Sequence, residues 1–376
     1  MNKQLRAWKK WAGAGLLALA AGAAQAASSV GLDVQLLPTG TLFNGQQDIA
    51  VKVTVTNRNA VPVRVLKWAL PGGRDGSAFR VTRDGTLLPY QGAVYKRPAP
   101  TADDYLTLAP GASYSADVEL SGLFDMTDGG HYSIEFDSFS GQLVAPASAA
   151  KTPAAIAADL AAAQPGALES TPAHVWVEYG SGPSLSAALA AEPIPETAAQ
   201  AKAGAGGVSY TGACTNAQKS AIATALNSAA TYASRANRYL AGMTASTQRY
   251  AKWFGTYSDT ARGQVKLHYA KMVNAFNGKP LVYDCSCTDN YYAYVYPNQP
   301  YKVYVCPVFW DAPNTGTDSK AGTLIHEMSH FTVIGATDDY VYGQSGAAAL
   351  AISNPARARR NADNHEYFAE NTPALP

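Results

Sequence analysis

The chain has 376 residues, 47% of them hydrophobic and 15% charged, enough for two ordinary domains with buried cores. With 29 basic against 28 acidic residues it lacks the positive excess of a nucleic-acid-binding surface, so nucleic acid is not an expected partner. Tyrosine dominates the aromatics, 22 against 10 phenylalanines, a polar-tipped mix expected on solvated surfaces and wet interfaces.

Residues 1–26 read as a cleaved secretory signal peptide. Lys3, Arg6, Lys9 and Lys10 precede an apolar run over residues 11–22, and Ala24-Gln-Ala26 supplies the small residues of a cleavage site. The run is too short to span a bilayer, which disfavours an anchor, so a secreted, extracellular product with no membrane contact after cleavage is expected. From residue 30 to 144 apolar residues alternate with polar ones, as in Ile49-Ala-Val-Lys-Val-Thr-Val-Thr56, with turn signals such as Pro71-Gly-Gly73 between the runs. This predicts a β-sandwich-like domain over residues 27–146. Residues 147–207 turn rich in Ala, Pro, Ser and Gly and predict a linker with some helix, carrying one strand-like island, Val175-Trp-Val-Glu-Tyr179.

Beyond that, Ile222, Leu226, Ala229 and Ala233 recur at helical spacing within residues 215–240, and a second helix is predicted over 258–276. Strand-like runs, Tyr292-Ala-Tyr-Val-Tyr296 and Val303-Tyr-Val305, lie among the cysteines. Cys214, Cys285, Cys287 and Cys306, an even number in an exported chain, predict two disulfides rather than a zinc ribbon. Cys285 and Cys287 flank one residue and would be strained if bridged, so each is expected to bond to one of the outer two.

The chemistry concentrates in Gly322-Thr-Leu-Ile-His-Glu-Met-Ser-His-Phe331. On a helix started at Thr317-Asp318, His326 and His330 share one face and can bind one Zn2+, while Glu327 reaches the water that the metal polarises. A catalytic site needs a third protein ligand and an open position. His365 is one candidate, and an aspartate of Gly335-Ala-Thr-Asp-Asp-Tyr-Val-Tyr-Gly343 is the other.

These two motifs resemble the signature of the aspzincin, or deuterolysin-family, metallopeptidases: a His-Glu-x-x-His helix followed by Gly-Thr-x-x-Asp-x-x-Tyr-Gly. The chain departs from it at Ala336, in place of threonine. The resemblance implies Asp339, not Asp338, as third ligand and Tyr342 as the tyrosine at the reaction centre. It is closer to the peptidyl-lysine metalloendopeptidases and extends from about residue 210 to 376. It includes Arg249-Tyr-Ala-Lys-Trp-Phe-Gly255, Tyr294-Val-Tyr-Pro-Asn298, Thr315-Gly-Thr-Asp-Ser319 and Asn361-Ala-Asp-Asn-His-Glu-Tyr-Phe-Ala-Glu-Asn371. In that branch an Asp and a Glu three residues apart bind the substrate's lysine ammonium, which implies Asp363 and Glu366. The branch also implies the pairings Cys214 with Cys285 and Cys287 with Cys306. Glu370, one turn on, is expected to be surface charge.

The fold expected is α+β: a mainly helical zincin-like catalytic domain with a small β element over residues 208–376, preceded by the β-sandwich-like part of a propeptide. One Zn2+ per catalytic domain is the expected cofactor. Glu327 is the expected general base, and cleavage on the amino side of lysine is the expected activity. The first half is expected to act as propeptide, inhibitor or folding aid of a monomeric zymogen. Self-processing before Lys202, in the linker, would follow from that specificity. A broader aspzincin specificity, and a non-catalytic binding protein with a vestigial metal site, are the alternatives; the intact Glu327 disfavours the latter.

Overall fold

The computed structural model describes residues 26–27, 30–44, 48–73, 78–149, 152–178 and 207–376. Except for Ala26, the expected signal peptide lies outside the described residues, as does Lys202.

Helices and sheets are mixed along the chain, an α+β architecture. In the first half the alternation expresses itself directly. Val51, Val53 and Val55 of the strand Ala50–Asn57 are fully buried, while Lys52 between them is exposed. That strand lies between Leu32–Pro38 and Ser113–Glu119 in a four-stranded antiparallel sheet that ends at Ala26–Ala27. An eight-stranded sheet is organised by one long strand, Gly130–Pro146. It pairs first with Phe79–Arg83 and Ala173–Val177, then with Gln164–Glu169 and Val63–Leu66. Val34 and Val53 of the smaller sheet and Val81, Ile134 and Phe136 of the larger one belong to a single core.

The stretch expected to be a linker is more structured than its composition indicates. It holds a helix, Pro153–Ala161, capped by the Thr152 hydroxyl, and the two strands Gln164–Glu169 and Ala173–Val177. Both strands pair with Gly130–Pro146, so a distant partner overrides weak local propensity.

The second half is helical around a small sheet. Asn216–Gly242 opens on a capping box in which the Thr215 hydroxyl accepts from Gln218 N and the Gln218 side chain accepts from Thr215 N. Its buried residues Ile222, Leu226, Ala229, Ala233, Ala236 and Leu240 recur at steps of three and four. They face the helices Asp259–Gly278 and Lys320–His330. Several tyrosines expected on wet surfaces are core residues instead: Tyr250, Tyr269, Tyr283 and Tyr367 are at most 1% exposed. Their rings pack in the core, and the Tyr269 hydroxyl donates to the His365 carbonyl.

The small sheet runs in the order Val208–Thr211, Leu281–Asp284, Lys302–Val305, Ala293–Val295, and its fifth member comes from the first half. Val94–Lys96 pairs antiparallel with Ala293–Val295, matching Lys96 to Ala293, Tyr95 to Tyr294 and Val94 to Val295. Disulfides join Cys214 to Cys285 and Cys287 to Cys306, across sequence separations of 71 and 19 residues. From the entropy of the loops they close, replacing the first pair by alanine is expected to cost about 4 kcal/mol and replacing the second about 3 kcal/mol. Urea unfolding of the two variants measures this, and a reversed order of losses contradicts the loop-length account.

Candidate functional site

The helix Lys320–His330 starts at Ser319, whose hydroxyl accepts from Gly322 N at 2.9 Å. The start expected at Thr317-Asp318 is corrected by this cap. Asp318 instead adopts a positive φ of 50° and accepts from the Tyr367 hydroxyl at 2.6 Å. Leu324, Ile325 and Met328 fasten the helix into the core and aim the opposite face at a second buried helix, Ala362–Glu370.

On that face, His326 and His330 sit one turn apart, their ring centroids separated by 4.8 Å. Their Nε2 atoms lie 3.2 and 3.3 Å from the two carboxylate oxygens of Asp339. The far nitrogens are held in place: His326 Nδ1 is 2.8 Å from Asp363 Oδ1, and His330 Nδ1 is 2.8 Å from the Thr337 carbonyl. Donation from each Nδ1 leaves the Nε2 lone pairs converging on Asp339. Those Nε2 atoms and both Asp339 oxygens are buried and have no hydrogen-bond partner. Buried electron-pair donors left this way fit a Zn2+ site of two imidazoles and one carboxylate. Burial opposes charge on Asp339, yet the flanking imidazoles hold it well below the usual carboxylate range. Glu327, next along the helix, is fully buried with both oxygens unpartnered, and burial pushes it up to about 7 against the pull of the two histidines. Asp338 takes no part: it pairs with Arg360 at 2.9 Å and accepts from the Tyr340 hydroxyl at 2.7 Å.

A second constellation abuts the first. Asp363 and Glu366 lie on one face of Ala362–Glu370, and both are fully buried. Between them sits the ammonium of Lys96, 2.6 Å from Glu366, 3.6 Å from Asp363 and 3.6 Å from Asp318. The Lys96 side chain is itself 0% exposed, a state that lysine adopts only when paired. Burial works against its charge, but Asp363, Glu366 and Asp318 outweigh it and hold Lys96 well above its usual value. Glu370, expected as surface charge, is buried: it accepts from Ser319 N at 2.9 Å and the Ser319 hydroxyl at 2.7 Å. Burial and nearby Glu366 push it up to about 9. The room for this packing comes from Gly322, where a Cβ would lie 2.0 Å from Glu370 Oε1 and 2.8 Å from Glu366 Oε1.

Tyr342 is buried, and its hydroxyl donates to the Tyr95 carbonyl at 2.7 Å. His365 is turned away from the other histidines. Its Nε2 meets His268 Nδ1 at 3.0 Å and its Nδ1 meets the Asn361 carbonyl at 3.1 Å, so it joins a buried imidazole pair and not the group around Asp339. Sequence reasoning missed three participants. Asp318 was read only as part of a helix start, Gly322 was unremarkable, and Lys96 meets its partners only through a strand pairing across about two hundred residues.

A profile of the family described as lysine-specific metallo-endopeptidases, the aspzincins, matches residues 239–370. An extracellular protease of Aeromonas hydrophila is 45% identical over 348 residues, 92% of this chain and 94% of that protein. A peptidyl-Lys metalloendopeptidase of Armillaria mellea is 49% identical over 168 residues, 44% of this chain and 47% of that protein, so the match spans about half of it. A solved zinc peptidase from Grifola frondosa is 48% identical, with all of that chain covering 43% of this one at a TM-score of 0.42.

The buried imidazole pair carries a pH dependence. Burial lowers His268 to about 4 and His365 to about 3, against 6.5 when unfolded, so below pH 6.5 the unfolded chain binds more protons than the folded one. Each imidazole therefore removes stability as pH falls from 6.5 toward 4, by about 1.4 kcal/mol per pH unit once the unfolded form is charged. Denaturant unfolding at pH 7 and pH 5 is expected to show a smaller acid loss in His268→Gln than in the unaltered chain. Equal losses would contradict the assignment.

Proposed function

Because this chain belongs to the aspzincin family and is therefore a zinc metalloendopeptidase, we propose that it cuts peptide bonds on the amino side of lysine. The observation that carries this reading is the buried Lys96 ammonium, 2.6 Å from Glu366 and 3.6 Å from Asp363. Two carboxylates one turn apart on a helix are complementary to a primary ammonium, and an apolar side chain there would leave both unpaired. The name of the Armillaria relative supports the same specificity.

The nitrogens of His326 and His330 with the Asp339 carboxylate would hold one Zn2+, which when bound supplies Lewis acidity to a water and to the scissile carbonyl. The protein's own groups do the rest. Glu327 takes a proton from the attacking water and returns it to the leaving amine. The Tyr342 hydroxyl donates to the carbonyl oxygen as negative charge develops there. Asp363 and Glu366 anchor the lysine that follows the bond, and the strand Ala293–Val295 offers its edge to the substrate backbone.

The same proposal makes the protein a secreted, monomeric zymogen. Residues 1–26 would be the signal peptide and 208–376 the catalytic domain, and the intervening residues, with a β-sandwich-like body of two sheets over one core, would be the propeptide. The name of the Aeromonas relative supports export. Among the described residues no helix is long and apolar enough to cross a membrane. Complete burial of His326, Glu327 and His330 supports a precursor closed to other proteins, because a site that cuts them must admit them.

A digest of a denatured protein by the processed enzyme, read by mass spectrometry, tests the reading. Cuts confined to X-Lys bonds, lost with chelator and in Glu327→Ala, are expected. Cuts at many residue types would remove the lysine assignment, and cuts that persist with chelator would remove the metal.

A further inference from the structure

We propose that the Tyr95-Lys96 peptide bond is itself a substrate of this active centre, a self-processing site presented in reactive register by the uncleaved chain. The inference rests on the lysine-directed reading above and goes beyond it by naming a substrate bond within the chain itself.

The segment around Tyr95 and Lys96 meets the second half at both ends of one peptide unit. On the amine side, the Lys96 side chain fills the space between Glu366, Asp363 and Asp318, and its ammonium lies 4.8 Å from the centre of the Tyr292 ring. On the acyl side, the Tyr95 carbonyl accepts from the Tyr342 hydroxyl at 2.7 Å. A lysine held for its charge alone would need only the first of these contacts. Both are met by consecutive residues, and the bond they share is an X-Lys bond. Backbone pairing fixes the register: Lys96 is opposite Ala293, Tyr95 opposite Tyr294, and Tyr292 N donates to the Lys96 carbonyl at 3.0 Å. A slip of one residue would turn Lys96 away from the carboxylates. Arg97 continues the grip, its guanidinium 4.5 Å from the Tyr291 ring centre and 5.0 Å from that of Trp68.

This is how an extended peptide adds to a sheet edge, with the backbone giving affinity and one pocket giving specificity. Here the peptide is part of the chain, so encounter is intramolecular. Hydrolysis is balanced with water alone. The water oxygen bonds to the Tyr95 carbonyl carbon, the bond to the Lys96 nitrogen breaks, and that nitrogen takes up both of the water's protons, leaving a carboxylate on Tyr95 and an ammonium on Lys96. Two new charges then face each other where a neutral amide had been, and the strand pairing that covers the site is cut at its centre.

The full-length chain, purified with Zn2+ bound, is followed by intact mass and by terminal peptides over time at two concentrations tenfold apart. The expected result is a fragment ending at Tyr95 and one beginning at Lys96, formed at the same first-order rate at both concentrations and absent in Glu327→Ala. Lys96→Arg keeps the positive charge and is expected to lower the rate at this bond at least tenfold; retention of both disulfides and of the circular dichroism spectrum shows that it folds. An intact Tyr95-Lys96 bond in a preparation that cuts X-Lys bonds of a denatured protein overturns the self-processing site and leaves the lysine-directed reading standing. A preparation that cuts neither overturns both, and a rate that scales with concentration overturns intramolecular presentation.

Discussion

Asp363 serves two neighbours at once, and the arrangement of the second half depends on it. One oxygen lies 2.8 Å from His326 Nδ1 and fixes that ring, while the other accepts from Gly343 N at 2.7 Å. The same carboxylate is 3.6 Å from the Lys96 ammonium. The residue that orients the His326 imidazole therefore also faces the Lys96 ammonium. The group around Asp339 and the group around Lys96 are two faces of one buried network. Helix Ala362–Glu370 must lie hard against Lys320–His330 for this to hold, and Gly322 permits that approach.

So much buried charge is tolerable only when it is neutralised. Asp363 and Glu366 sit on one helix with no exposure, and unpaired carboxylates there would each cost several kcal/mol, whereas Glu370, pushed up to about 9, is held neutral. Lys96 supplies the opposite charge from the first half of the chain, and the Ser319 cap supplies hydrogen bonds to Glu370. This explains why the strand Val94–Lys96 belongs to the sheet of the second half although its flanks belong to the first. A molecule that displaces Lys96 without bringing a cation of its own would leave Asp363 and Glu366 unpaired.

Local pattern made the histidine helix legible, because a period near four places His326 and His330 together whatever the surroundings. Asp339 was singled out over Asp338 by the family resemblance and not by any local pattern; in the fold Asp338 is committed to Arg360 and Tyr340. Other features were hidden for identifiable reasons. Ser319 caps the helix because Asp318 is drawn to Tyr367, a contact 49 residues away. Glu370 looked like a solvated charge because nothing in its own helix reveals the groove that Gly322 leaves open. Gln164–Glu169 resembled linker because its stability comes from Gly130–Pro146 and not from its own composition, whereas Ala173–Val177 overlaps the strand-like run that begins at Val175. Lys96 is the extreme case, a single residue whose meaning lies wholly in partners far along the chain.

The central claim is that Asp363 couples the metal-holding imidazole to the lysine pocket. The most direct measurement is the Zn2+ dissociation constant of Asp363→Asn set beside that of Glu366→Gln. The account predicts binding weakened about tenfold to a hundredfold in Asp363→Asn, as for loss of an imidazole's supporting carboxylate, and nearly unchanged in Glu366→Gln. Unchanged Zn2+ affinity in Asp363→Asn, or equal weakening in both, would contradict it.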